Sequence, residues 1–190
     1  MDLPKELAKI KALTIPYNQI KDVIICSVNL SFPKSLLAQG QQHIHHSHFA
    51  IWDTGAMASA VTEIEAQRLG LIQTGVKQIS GLGGTLDKKT YLVDILLPND
   101  ILLENHPVTE IDNPKDKDGN KIDSFGMLIG MDIISMGDFS ITNFEGKTVM
   151  SFRVPSLHKI CYVEDFKKRV NIFTKTQRNL PAPNNHHKRR

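Results

Sequence analysis

Cysteine is scarce in this chain: Cys26 and Cys161 are the two among 190 residues. They form no Cys-x-x-Cys pair and sit among apolar neighbours, which argues against a disulfide framework; both are read as buried thiols. No apolar run approaches the length that spans a bilayer. The opening Met1-Asp2-Leu3-Pro4-Lys5-Glu6 lacks a basic segment followed by an apolar one, so no secretory signal is visible and a cytoplasmic location is expected. Acid is missing from the end of the chain. From Lys167 to Arg190 there are eight Lys or Arg and no Asp or Glu, which leaves 15 basic against 20 acidic residues before it. The body is therefore mildly acidic and the tail basic. That tail has no interleaved aromatics and no reader motif, so it is read as solvated, with neither nucleic acid nor membrane expected as a partner.

What is present suits one domain with appendages. Leu3, Leu7, Ile10 and Leu13 stand at helical spacing and predict a short N-terminal helix ended by Pro16. Val23 to Leu30 reads as a strand. His43, His45, His46 and His48 crowd into six residues and have the chemistry to bind a transition metal. On a strand, His43 and His45 share one face and His46 and His48 the other. No Cys, Asp or Glu lies nearby at ligand spacing, so the stretch is read as a polar lead into a core strand and no metal or other cofactor is assigned. Thr62-Glu63-Ile64-Glu65 fits a capping box for a short helix that Gly70 stops.

Chemistry enters at Phe49-Ala50-Ile51-Trp52-Asp53-Thr54-Gly55-Ala56. A short apolar run bounded by a turn reads as a buried strand, so Asp53 sits at the mouth of the core. A carboxylate there needs a hydrogen bond, a partner or a task. Downstream, Val76 to Ile79 and Thr90 to Leu97 read as strands flanking Gly81-Leu82-Gly83-Gly84, a glycine-tipped hairpin. A phosphate loop is excluded, because a strand rather than a Lys-Ser/Thr and helix follows. Asp116-Lys117-Asp118-Gly119-Asn120 lacks the spacing and closing Glu of a calcium loop and is read as exposed. Leu128-Ile129-Gly130 is a second apolar run ending in glycine. Lys147 to Val154 alternates as a strand, and Val163 to Phe173 reads as a helix.

In this order the three parts resemble the retropepsin-like aspartic proteases over about Phe49 to Pro155. The resemblance implies a mainly β fold: a small closed barrel with one or two short helices, working as a two-fold homodimer. It divides the chain into an N-terminal helix/strand extension (1–42), the protease-like domain (43–155), a helical extension (156–175) and a disordered basic tail (176–190). It implies an aspartic endopeptidase that cuts extended polypeptide with a water activated between two carboxylates. The chain has one Asp-Thr-Gly, so the second Asp53 must come from a second copy. Asp53, Thr54 and Gly55 are the implied catalytic residues, Thr54 bonding across the dimer and the Gly55 N–H binding the carboxylate. Ala56, Gly81, Leu82, Gly83, Gly84 and Ile129 are the implied substrate-binding residues. Asp132 is read as structural, accepting backbone N–H groups or pairing with a base. Lys147 to Val154 is the candidate strand for the dimer contact. Ala56 has no hydroxyl to donate, so a pH optimum less acidic than that of the gastric enzymes is expected. The rival is a catalytically idle module of the same fold that binds peptides or only dimerises.

Overall fold

The computed structural model describes residues 9–81 and 84–178. Leu82 and Gly83, the first part of the expected N-terminal helix, and the tail beyond Arg178 lie outside the described residues. The chain divides into two compact units, Met1–Leu157 and His158–Arg190.

The first unit is a closed barrel with a small sheet packed on it. In β2 (Ile24–Ser31), Ile24, Cys26, Val28 and Leu30 point inward while Ile25, Ser27 and Asn29 face out, the period-2 pattern of a half-buried strand. It pairs antiparallel with β3 (His45–Trp52), Cys26 opposite Ala50. β8 (Met127–Ile129) runs parallel beside β3 and antiparallel beside β4 (Ala60–Thr62). β4 pairs with β7 (Ile101–Ile111), β7 with β6 (Gly84–Leu97), and β6 returns to β2 through Asn29–Ser31. Six strands thus close on themselves, which leaves no free edge inside the ring. β5 (Gly75–Gly81) hangs on the outer part of β6 as a hairpin. Three helices complete the chain: α1 (Glu63–Arg68), α2 (Met131–Ile134) and α3 (Tyr162–Arg178).

The second sheet has the order β1 (Lys11–Pro16), β10 (Lys147–Val154), β9 (Asp138–Phe144). Its inner face joins the barrel core. Trp52 stacks on Phe139 at 5.4 Å between ring centroids and meets Phe152 at 5.1 Å. The Trp52 indole N–H donates to Cys26 Sγ at 3.1 Å, so its polar end is satisfied inside. Burial pushes the Cys26 thiol up to about 11, which keeps it an inert, protonated core residue. Cys161, in the second unit, is only partly buried.

Local sequence explains the turns. Glu145 and Gly146 both have positive φ, 49° and 74°, in the two-residue loop between β9 and β10. Gly70, at φ 64°, ends α1; the Leu71 N–H reaches Ala66 O and the Gly70 N–H reaches Gln67 O, a Schellman closure. Thr62 caps α1 by accepting from the Glu65 N–H at 3.3 Å. Its own N–H donates to Gly126 O instead of to the Glu65 side chain, so the capping box is half made.

Three expectations are corrected. Residues 11–16 are strand, not helix, because Leu13 lies opposite Phe152 and buries there; cross-strand packing outweighs the helical spacing. Within the segment 1–42, β2 is a barrel strand and β1 an edge of the second sheet, so residues 11–31 pair with the strands of the body. β10 is the middle strand of its sheet, with both backbone edges already paired, so it cannot add a partner's strand. α3 continues to Arg178, three residues into the expected tail. In α3 the acids Glu164 and Asp165 fall in the first turn, where the helix dipole favours them, and Asp165 pairs with Arg169 at 3.1 Å.

Phe152 is 1% exposed and fills the junction of the two sheets. Phe152→Ala is expected to lower unfolding free energy by about 3–5 kcal/mol, read from the urea midpoint at unchanged m-value.

Candidate active site

The segment 53–59 joins β3 to β4 without regular structure of its own. β8 lies between those two strands and holds the segment in place. At its start, the Asp53 N–H donates to Ile129 O at 2.9 Å. In its middle, the Met131 N–H donates to Ala56 O at 2.8 Å. At its end, the Ser59 hydroxyl accepts from the Gly130 N–H at 3.0 Å. Gly130 has no substitute here: a Cβ on it would stand 2.6 Å from the Ala58 carbonyl carbon and 2.7 Å from its oxygen.

Asp53 is half-buried. The Gly55 N–H donates to its Oδ1 at 2.8 Å, the bond expected of Gly55. A Cβ on Gly55 would come within 3.1 Å of that same oxygen. Among the described residues no other acid shares a hydrogen bond with Asp53. Thr54 and Gly55 are exposed at the turn. Beside them lies a groove of about 410 Å³, walled by Gly55, Ala56 and Ala58 from the loop, by Gln78 and Ile79 from β5, and by Leu128. Asp53 thus stands two residues before Gly55, where the wall of a largely apolar groove flanked by the β5–β6 hairpin begins.

Ala56 lines this groove. Ile129 does not: it is fully buried in the core, and strand alternation turns Leu128 to the groove instead. Gly81 and Gly84 pair at the hairpin's end, and the expected Leu82 and Gly83 lie outside the described residues. The hairpin is longer than expected because the polar Thr85 to Lys89 also pairs, with both faces of the ribbon open.

Asp132 is the second acid near the loop, and all its capacity is used. It accepts from the Ser59 N–H at 2.9 and 3.0 Å, from the Ser59 hydroxyl at 2.7 Å, from the Ile133 N–H at 2.9 Å and from His106 Nε2 at 3.1 Å. Burial raises its pKa, but the bonds from Ser59 and His106 outweigh that and leave it below the usual carboxylate range. The three residues superficially suggest a nucleophile triad. They are not one, because the carboxylate lies between hydroxyl and imidazole and Ser59 is fully buried. Ser59 and His106 were not legible as site residues. Ser59 sits six positions past Asp53 in a run of alanines, and His106 lies in another strand.

The histidine stretch pairs as the alternation predicted, with His43–His45 rings 4.0 Å apart and His46–His48 rings 5.4 Å apart. Its partners come from far along the chain. His46 Nδ1 meets Glu65 Oε1 at 2.8 Å and His48 Nε2 meets Asp123 Oδ1 at 2.9 Å. Arg68 joins Glu65 and Asp123, at 2.6 and 2.5 Å. Among the described residues no group of three His, Cys, Asp or Glu is arranged to hold a metal ion. Asp116 already binds the N–H groups of Asp118 and Asn120 within its own turn.

No protein-family model matches the chain, and no curated protein matches it. Among solved structures it is similar to a retropepsin-like aspartic protease from Rickettsia conorii, at 15% sequence identity over 77% of this chain and 96% of that one, with a TM-score of 0.43.

Because the folded pKa of Asp132 is depressed, its contribution to stability is complete above the unfolded value of about 4 and is lost as pH falls through the lower folded value. Asp123 is depressed in the same direction: burial raises its pKa, and Arg68 and His48 more than reverse that. The thermal midpoint is expected to fall as pH drops from about 5 to 3, and Asp132→Asn is expected to flatten that fall in calorimetry.

Proposed function

We propose that this chain is an aspartic endopeptidase of retropepsin type that works as a homodimer. The observation that carries the reading is Asp53 itself: a half-buried carboxylate, held by the Gly55 N–H, whose loop runs on into the wall of a groove, and to which no second acid is bonded among the described residues. Asp132 cannot serve as that second acid, because Ser59 and His106 occupy it. Asp53 of the partner subunit would supply the missing half, and a two-fold axis would set the two side by side.

Two carboxylates about 3 Å apart cannot both ionise, so the pair shares one proton. The ionised member takes a proton from a water, whose oxygen attacks the scissile carbonyl carbon. The protonated member gives its proton to the carbonyl oxygen, forming a neutral tetrahedral diol. As the diol collapses, one of its hydroxyls returns a proton to the ionised carboxyl while the protonated carboxyl gives its proton to the departing amine, so the pair again holds one proton. Gly55 holds the carboxylate's orientation, and Thr54, exposed at the turn, would bond across the axis. An extended peptide would lie in the groove beside Ala56 and Leu128, with the β5–β6 hairpin closing over it. Backbone bonds from such a hairpin are indifferent to side-chain identity, so pocket walls would set preference.

Asp53→Asn is expected to abolish cleavage of an unfolded protein substrate while leaving the thermal midpoint within a few degrees. Specific activity is expected to fall on dilution as a dimer dissociates, with sedimentation reporting the same transition. Cleavage absent in wild type, or surviving the substitution, leaves an idle module of the same fold. Ala56 offers no hydroxyl to the carboxylate, so the activity maximum is expected above roughly pH 3, less acidic than that of a pepsin-like pair.

A further inference from the structure

The loop that carries Asp53 has no helix or strand to stiffen it, yet catalysis by a proton-sharing pair requires its position to be fixed closely. Two of its three anchors are backbone bonds to the segment 129–132: Asp53 to Ile129 and Met131 to Ala56. The third is made by side chains. Ser59 is fully buried, and its hydroxyl both receives the Gly130 N–H and donates to Asp132. Asp132 also grips the Ser59 N–H with both carboxylate oxygens. One residue, Ser59, thus ties the end of the Asp53 loop to both Gly130 and Asp132.

The other side of Asp132 is held from β7. His106 Nε2 donates to Oδ2 at 3.1 Å. The backbone that presents His106 is itself unusual. Asn105, the residue before it, has φ 52°, a conformation costly for a side chain with a Cβ. The β6–β7 register shifts at the same place, between Val93 and Ile95. Asp94, buried in that bulge, holds the conformation by accepting from the Asn105 N–H at 2.7 Å and from the Lys34 N–H at 2.9 Å. Pro107 follows, with its φ fixed by the ring. A strained residue maintained by a buried carboxylate, next to the imidazole that completes the cluster, is a feature that the strand pairing alone does not require.

We propose that Ser59, Asp132 and His106 form a latch of positioning residues that fixes the Asp53 loop against the segment 129–132. None of the three touches substrate; they act through the placement of Asp53. The kinetic part of this inference rests on the peptidase reading above, whereas its structural part does not.

Two measurements on the full chain separate the two. In hydrogen exchange, Asp132→Ala is expected to speed exchange of the Asp53, Gly130 and Met131 amides at least about tenfold, with the amides of Met150 and Phe152 in β10 unchanged. Unchanged exchange at the three loop amides, or a rise shared equally with β10, overturns the latch. In steady-state cleavage, Asp132→Ala is expected to lower kcat by about a hundredfold with KM within a few-fold, the signature of misplaced catalytic groups. Asp132→Asn keeps an oxygen for the Ser59 N–H and is expected to recover kcat to within about tenfold of wild type. Equal loss in both variants overturns the positioning role. Should Asp132→Ala fail to fold, Ser59→Ala carries the same two measurements with the same expectations. A wild-type chain that cleaves nothing defeats the peptidase reading, and the exchange result then still decides the latch.

Discussion

The structure depends on one constraint: β8 must pass between β3 and β4 closely enough to hold the loop that joins them. Three residues of strand, Met127–Ile129, satisfy both neighbours at once, parallel on one side and antiparallel on the other. Immediately afterwards Gly130 brings backbone against backbone at Ala58, where any side chain would collide. The barrel's closure through Asn29–Ser31 of β2 and the facing part of β6 braces this crossing from the far side of the ring. A carboxylate at the end of β3 therefore inherits its position from the core rather than from its own flexible turn.

Much of this was legible because the decisive signals are local. The apolar run before Asp53, the glycine at position 55 and the Leu-Ile-Gly triplet each dictate backbone geometry with little help from elsewhere. The Gly55 N–H to Asp53 bond and the structural employment of Asp132 follow from such signals. The misreadings share a different cause. Leu13 has helical companions in sequence, yet its burial is decided by Phe152, which lies far along the chain. Ile129 and Leu128 are adjacent and equally apolar, and only the pairing of β8 decides which turns to the groove. His106 gave no signal at all, because its placement depends on a register shift between its own strand, β7, and β6.

The histidine stretch shows the same division. Alternation correctly sorted its four rings into two pairs, but its meaning lies in Glu65 and Asp123, brought in by α1 and by the segment before β8. Glu65 is fully buried, so its charge is tolerable only with Arg68 and His46 both in reach. Arg68 also clamps Asp123, three residues before Gly126, whose N–H bonds to Phe49 O. The network thus fixes the entry of the chain into β8, and through it the crossing beside Asp53. The short capped helix α1 thus fastens one end of the strand on which the site is built.

On the proposed reading, this internal bracing has a consequence for assembly. Asp53 is oriented by Gly55, and its loop by Gly130, Met131 and Asp132, all within one chain. The half-site is therefore formed before any partner arrives, and association need not spend free energy on ordering that loop. β10 is closed to the partner as a pairing strand, because β1 and β9 flank it. What remains open near the carboxylate is the turn itself, with Thr54 and Gly55 exposed. Activity in such a system would be governed by the concentration of the chain rather than by its folding, which makes assembly the natural point of control.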